Sequence, residues 1–502
     1  MSRIALILTA VLFLTANQGK AGPPGPARRY RLYVSHYENV LGTSLELKVS
    51  ASSPAVSEKA EAAVLKEIDR LSGILSGYDP RSEFSRWMKT AHTPIPVSPE
   101  LFEVLGLFDL WRGRTDGALD ASAEVITKLW KQAAAKDQLP SAAEIAMAVS
   151  RVKQPHWRLD SAGRTATHLS DVPLMLNSFA KSYIIRHAAD AGRSVGGVDA
   201  IIVNIGGDLV ISGNVTESVL ISDPKDDAEN ADPIDRLHVS NQAVATSGNY
   251  RRGELIGGHW YSHIVDPRTG QPAGHILSAT VTAPGATDAG ALATAFNVLS
   301  TDESMRLAST VPGAEYLIIT ADGNRIASPG WKDLETNPPG SLAPHLSGAG
   351  FELLINLEVN MQAGLNNYKR PYLAAWVEDE NHAPVRAISV WRGERRYLRE
   401  LKSWYLKYGD LYKSDANFGA TITSATRPAG KYTLKWDGND DQGKPVKPGK
   451  YIIKIEVARE HGTYQIMRQE LDCNDQAKVV NLTGNIEISS ATLDYRKTTN
   501  GQ

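Results

Sequence analysis

The sequence predicts two folded units in series, an α+β domain over residues 30–330 and an all-β sandwich over 350–502. Three observations carry that reading. At 502 residues the chain exceeds what one hydrophobic core usually spans. Before residue 330, stretches of helical periodicity mix with short apolar strands, the pattern of an α+β domain. Beyond "WKDLETNPPGSLAP", a polar Pro-rich stretch that reads as a linker over 331–349, the runs are strand-like and mostly separated by turn residues. The composition, 42% hydrophobic and 22% charged, is ordinary for a globular protein. A net charge of -2 points to neither nucleic acid nor an anionic membrane surface as partner.

The opening residues "MSRIALILTAVLFLTANQGKAG" place Arg3 before an apolar run from Ile4 to Leu14, then small and polar residues. That is the layout of a signal peptide over 1–21, with cleavage after Ala21. The alternative is a membrane anchor, but the run is short for a spanning helix. No later segment reads as a membrane span, so the expected location is periplasmic or otherwise exported. Cys473 is the only cysteine, which excludes an internal disulfide and a cysteine-based metal cluster.

Ordered structure is expected from about Tyr30, after the linker "GPPGPA". "SLELKVSA" (Ser44–Ala51) alternates as a strand does. Ala63, Leu65, Ile68, Leu71 and Leu75 recur at helical spacing within 55–75. Further helices are predicted at 99–112, 121–134, 142–152 and 177–191. "AIIVNIGGDLVISG" reads as two apolar strands around a Gly-Gly-Asp turn. More strands are expected at 218–221, 238–240, 260–265 and 314–319.

Three neighbouring stretches carry chemistry. Gly206 and Gly207 in "VNIGGDL" let backbone amides approach a ligand closely and form an anion cradle. "ATSGNYRR" (Ala245–Arg252) offers hydroxyls, Ser247 among them, with arginines behind. In "YSHIVDPRTG" (Tyr261–Gly270) a strand leads His263 into a tight turn built on Pro267 and Gly270. Taken alone, that last stretch reads first as a plain hairpin turn with a satisfied histidine.

These stretches, in this order, resemble the FAD:protein FMN transferase family, also called ApbE. "GTSLELKV", "LSGYDPRSEFSR", "DGALDAS", "LNSFAKSYI", "VNIGGDLVISG", "ATSGNY", "YSHIVDPRTGQP" and "ALATAFNVLS" match its pattern between residues 34 and 326. The resemblance implies an exported α+β enzyme that cleaves FAD and attaches FMN to a Ser or Thr of an exported or membrane-bound redox protein. It places Tyr78 on the isoalloxazine and Ala118, Leu119 and Asp120 on the adenine and ribose side. Lys181 falls by the flavin diphosphate, and Ser178 and Thr294 at a metal ion. His263 becomes the candidate general base, since imidazole titrates near neutrality. Mg2+ suits cleavage of a pyrophosphate, being a hard cation held by oxygen ligands.

The sequence departs from the family pattern at several positions. Gly290 stands where an Asp four residues before Thr294 would share its helix face. Asp288 lies six residues before Thr294, about 240° round an ideal helix, so it reaches the metal only if the helix starts late. Its other reading, or that of Thr287, is a helix N-cap. Met175, Ser182, Arg186, Met88 and Leu41 also differ from the pattern. A flavin-binding protein or carrier with impaired catalysis therefore stays open as the alternative.

In the second unit, "WDGNDDQGKPVKPGKY" reads as a strand, an acidic turn and a strand. It resembles an Ig-like hairpin, and a domain of unknown function that follows such transferase domains. Asp437, Asp440 and Asp441 read as a solvated turn or a Ca2+ site. "REHG" (459–462) reads as a strand end with a surface ion pair. "DANFGATITSATRP" approaches the family's acceptor motif, which makes Thr421, or Thr426, a candidate flavin acceptor. The other reading is a loop of small residues.

Overall fold

The computed structural model describes residues 30–336, 350–361 and 370–497, apart from 227, 250–251, 394, 416–417, 419–421, 461 and 475. The expected signal peptide and the candidate acceptor Thr421 lie outside the described residues.

The first unit is built on one eight-stranded antiparallel sheet. Its strands are β1 (Arg31–Val40), β2 (Thr43–Ala51), β3 (Val198–Ile205), β4 (Asp208–Gly213), β5 (Ala243–Gly248), β6 (Ile276–Ala283), β7 (Glu315–Thr320) and β8 (Arg325–Ala327), adjacent in that order. One face carries the helices α1 (Pro54–Leu75), α2 (Ala180–Arg193) and α3 (Ala286–Phe296). Alternation along β2 explains the layering: Leu45, Leu47, Val49 and Ala51 point into the main core. On β3, Ile201, Val203 and Ile205 face that core, while Ile202 joins a smaller one on the opposite face. Both faces of the sheet are therefore covered, and its central strands read as continuous apolar runs.

Helix starts follow local signals. Ser53 caps α1, and Ser141 with Glu144 forms a capping box on the Ala142–Val152 helix. The predicted helix over 121–134 begins instead as a 3-10 turn, Ala121–Ala123, before Glu124–Ala135. The expected linker start at 331 needs correction. Trp331–Leu334 is a helical turn, and Trp331 is fully buried, its indole N–H donating to Asp235 Oδ2 at 2.9 Å. The first unit runs past 330 because a buried indole holds it.

The second unit is the expected β-sandwich. The strands are β9 (Phe351–Val359), β10 (Tyr372–Asp379), β11 (Pro384–Arg392), β12 (Thr423–Ala425), β13 (Gly430–Trp436), β14 (Gly449–Ala458), β15 (Tyr464–Cys473), β16 (Lys478–Leu482) and β17 (Ile488–Lys497). One sheet runs β13-β9-β17-β16 and the other β12-β11-β10-β14-β15. An unanticipated helix, α4 (Lys402–Ser414), covers the outer face of the five-stranded sheet. That is why β10 is buried on both sides: Leu373, Ala375 and Val377 face the sandwich core, Tyr372, Ala374 and Trp376 face α4. The ion pair expected at the surface near "REHG" is buried, Arg459 pairing with Glu487. The acidic turn is held by its own carboxylates: Asp437 accepts from Asn439 N, Asp440 from Gln442 N and Lys444 N, and Asp441 from Ala387 N.

The two units touch along strand β13. Glu229 N donates to Thr433 O at 2.8 Å, and the Asn230 side-chain amide pairs with Lys435 O and N at 2.7 and 2.8 Å. Arg427 adds an ion pair to Glu229 at 2.8 Å. Thr426 is buried at this junction, donating its hydroxyl to Glu38. A hydroxyl so placed is no accessible acceptor, so Thr426 does not suit that role in this arrangement.

Candidate functional site

The Gly-Gly turn joins β3 to β4, with positive φ at both Gly206 and Gly207. A side chain at Gly206 would meet Thr43 Cγ2 at 2.6 Å, so this close approach requires glycine. The turn delivers Asp208 into the protein, where burial pushes its carboxyl above the usual range against the pull of Lys181. Lys181 Nζ, from the first turn of α2, lies 2.9 Å from Asp208 Oδ2. Thr246 N and the Ser182 hydroxyl favour its charged form as Lys181 does, but burial outweighs all three. The sequence analysis names no role for Asp208; the signal for it is its place directly after the paired glycines of "VNIGGD".

Thr294 on α3 donates its hydroxyl to Ser178 O at 3.0 Å, so these two residues do meet. Ser247 lies on β5, its carbonyl accepting from Asn297 Nδ2 at 3.2 Å. Tyr78 is 75% exposed, the aromatic most open to a flat ligand on this side, and its hydroxyl accepts from Asn177 Nδ2 at 2.6 Å. Beside it, Met175 packs against Gly77. Ala118, Leu119 and Asp120 are buried. Asp120 pairs with Arg112 at 2.7 Å and accepts from Ser122 N at 2.8 Å. These three side chains face the protein interior, which leaves backbone atoms as their means of touching a ligand.

His263 Nδ1 lies 2.9 Å from Arg252 O, so that nitrogen carries the proton and donates. Nε2 then holds the lone pair. Burial holds the imidazole below its ordinary pKa, more strongly than the Arg252 carbonyl raises it. The ring is therefore neutral at pH 7 and poised to accept a proton.

Asp288 is the correction. Helix α3 begins at Ala286 with Gly285 as N-cap, so Asp288 already sits inside the first turn. The late start that would bring it to Thr294's face does not occur. It is not the N-cap either; its carboxylate folds back over Gly285, where an acid favours the helix dipole. Burial raises its pKa, with Arg114 opposing.

Mg2+ is ordinarily bound by near-octahedral oxygen donors with one or two carboxylates. Here Ser178 O and Thr294 Oγ1 bond each other, Asp208 is engaged by Lys181, and Asp288 lies on another face. Among the described residues no three His, Cys, Asp or Glu side chains gather in a metal-holding group. The donor set does not fit a resident Mg2+ ion.

The amide cradle expected at the Gly-Gly turn is not open: Gly206 N donates to Ser44 O and Gly207 N to Asn204 Oδ1, each at 3.1 Å. A helix-backed antiparallel sheet carrying an anchored lysine and a neutral histidine is an α+β fold with an enzyme-like site. The chain belongs to the ApbE family, whose model matches residues 41–318. A second model, described as "Predicted periplasmic protein (DUF2271)", matches 354–490. The FAD:protein FMN transferase of Klebsiella pneumoniae is 27% identical over 326 residues, covering 63% of this chain and 91% of its own. That of Haemophilus influenzae is 29% identical over 300 residues, covering 56% and 85%. The crystal structure of the ApbE protein from Thermotoga maritima superposes with a TM-score of 0.55 at 27% identity, over 61% of this chain and all of that one. The flavinyl transferase ApbE of Pseudomonas stutzeri shares the fold, with a TM-score of 0.51 at 22% identity over 61% and 99%. Among the described residues no helix is long and apolar enough to cross a membrane.

Proposed function

We propose that this protein cleaves FAD and transfers FMN to a Ser or Thr hydroxyl of an exported or membrane-bound redox protein. The observation that carries the reading is Lys181, locked onto Asp208 directly after the Gly206–Gly207 turn. An ammonium beside the exposed Gly206–Gly207 turn is suited to the flavin diphosphate. Tyr78 stacks on the isoalloxazine, and Ala118 to Asp120 border the adenosine through their backbone. Ser247 and the Ser178–Thr294 pair line the same ligand.

His263 Nε2 takes the proton of the acceptor hydroxyl as its oxygen attacks the phosphorus on the FMN side. The new bond is a phosphoester; the bond that breaks is the pyrophosphate P–O, and AMP departs. The metal dependence expected from the resemblance is not carried over, and no step is routed through a cation. The DUF2271 match, described as a predicted periplasmic protein, supports a periplasmic setting.

The test is to incubate the protein with FAD and an acceptor peptide carrying an Asp, two or three further residues, then Ser/Thr-Gly-Ala-Ser/Thr. Stoichiometric AMP release with an FMN-sized mass gain on the peptide supports the reading. Bound FAD with neither product supports instead a flavin-holding relative, which the departures at Gly290 and Met175 favour.

A further inference from the structure

Gly290 and Ser182 occupy one volume. A Cβ built at Gly290 falls well inside contact distance of Ser182 Oγ, 3.1 Å from Ser182 Cβ and 3.4 Å from Phe179 Cβ. Ser182 is buried, and its hydroxyl helps lower the Asp208 pKa alongside Lys181, which is paired with that carboxylate, and Thr246 N. Swinging away would weaken its hold on that largely buried carboxylate. Residue 290 is one helical turn before Thr294, so a side chain there would project beside Thr294 Oγ1 and Ser178 O.

We propose that Ser182 and Gly290 form one coupled exchange that closes a divalent-cation position in this chain. The Ser182 hydroxyl fills the space that an acid at 290 would need. The two remaining oxygens, Thr294 Oγ1 and Ser178 O, satisfy each other. This site consequently binds no divalent cation by itself, and its positive charge is the Lys181 ammonium. Reversing both residues together assembles a carboxylate and a hydroxyl on α3 with a carbonyl just before α2, a hard-cation donor set. The proposal concerns packing and cation binding in the absence of FAD, so it stands or falls independently of transferase activity.

The experiment is a Mn2+ titration of the full-length mature protein without flavin, followed by the electron paramagnetic resonance signal of free Mn2+, alongside thermal melts. Four proteins are compared: wild type, Ser182→Gly, Gly290→Asp, and the double variant. Wild type is expected to show no saturable binding below about 1 mM, and the double variant at least about ten-fold tighter binding. Gly290→Asp alone should lower the melting temperature by several degrees, and adding Ser182→Gly should recover most of that loss. Gly290→Ala, made in the wild type and in the Ser182→Gly background, checks the shared volume, since alanine should be tolerated only where the serine side chain has been removed. Wild-type binding as tight as the double variant's overturns the proposal. So does a double variant that fails to fold or gains no binding, or an equal loss from Gly290→Ala in both backgrounds.

Discussion

Lys181 Nζ lies 2.9 Å from Asp208 Oδ2, tying the start of α2 to the strand that leaves the Gly-Gly turn. Lys181→Met strands a buried carboxylate. Because Lys181 remains 32% exposed and Asp208 keeps its other bonds, the cost should be about 1–3 kcal/mol, below that of a fully buried pair. Lys181→Met with Asp208→Asn should recover much of this stability in denaturant melts while FAD turnover stays low. Full recovery of turnover in the double variant would show that the ammonium serves only the fold.

His263→Asn should lower the rate of AMP release by about 10²–10⁴-fold, the range of a lost general base, with FAD affinity little changed. In the wild type the acidic limb of the rate profile should fall below pH 6.5, because burial lowers the imidazole pKa from that ordinary value. The sign for stability agrees: the unfolded chain takes up the proton first, so stability drops as pH falls through 6.5. Initial rates between pH 5 and 8 check the catalytic half.

Glu46 offers a purely structural test. Burial works to raise its pKa, but bonds to His36 at 3.0 Å and Lys48 at 3.3 Å outweigh that and hold it at about 2. A depressed acid contributes stability above its unfolded value, 4.5, and loses it as pH falls towards 2. The contribution should be about 1–2 kcal/mol after allowing for the third of the side chain that water reaches. Glu46→Gln should flatten the stability profile across that window in urea titrations.

Asn230 pairs with both backbone groups of Lys435 on an edge strand of the sandwich. Asn230→Ala removes both bonds and should weaken domain docking by about 1–3 kcal/mol. Calorimetry should then resolve the two units as separate transitions, or as a broader single one. An unchanged endotherm would show that the β13 edge carries no docking energy.

Thr426 is buried against Glu38. Intact-mass analysis of the full chain with FAD and an active flavin transferase should give the same adduct count for wild type and Thr426→Ala. A difference between them would mean that this junction opens.

Local order was legible in the sequence. The apolar spacing from Ala63 to Leu75 specified α1, and the strands around Gly206–Gly207 followed from alternation and the turn. The succession of stretches from "GTSLELKV" to "ALATAFNVLS" identified the family before any coordinates. Such features depend on neighbours within a few residues, where periodicity and glycine's freedom at positive φ decide. Tertiary structure decided what lies between distant segments. It placed Asp208 on Lys181, put Ser182 into the space beside Gly290, started α3 too early for Asp288 to reach Thr294, and buried Thr426 at a domain junction. None of these has a local signature, because each depends on which side chain fills a shared volume or satisfies a buried charge from another element. Packing and desolvation settle that choice only once the chain has closed.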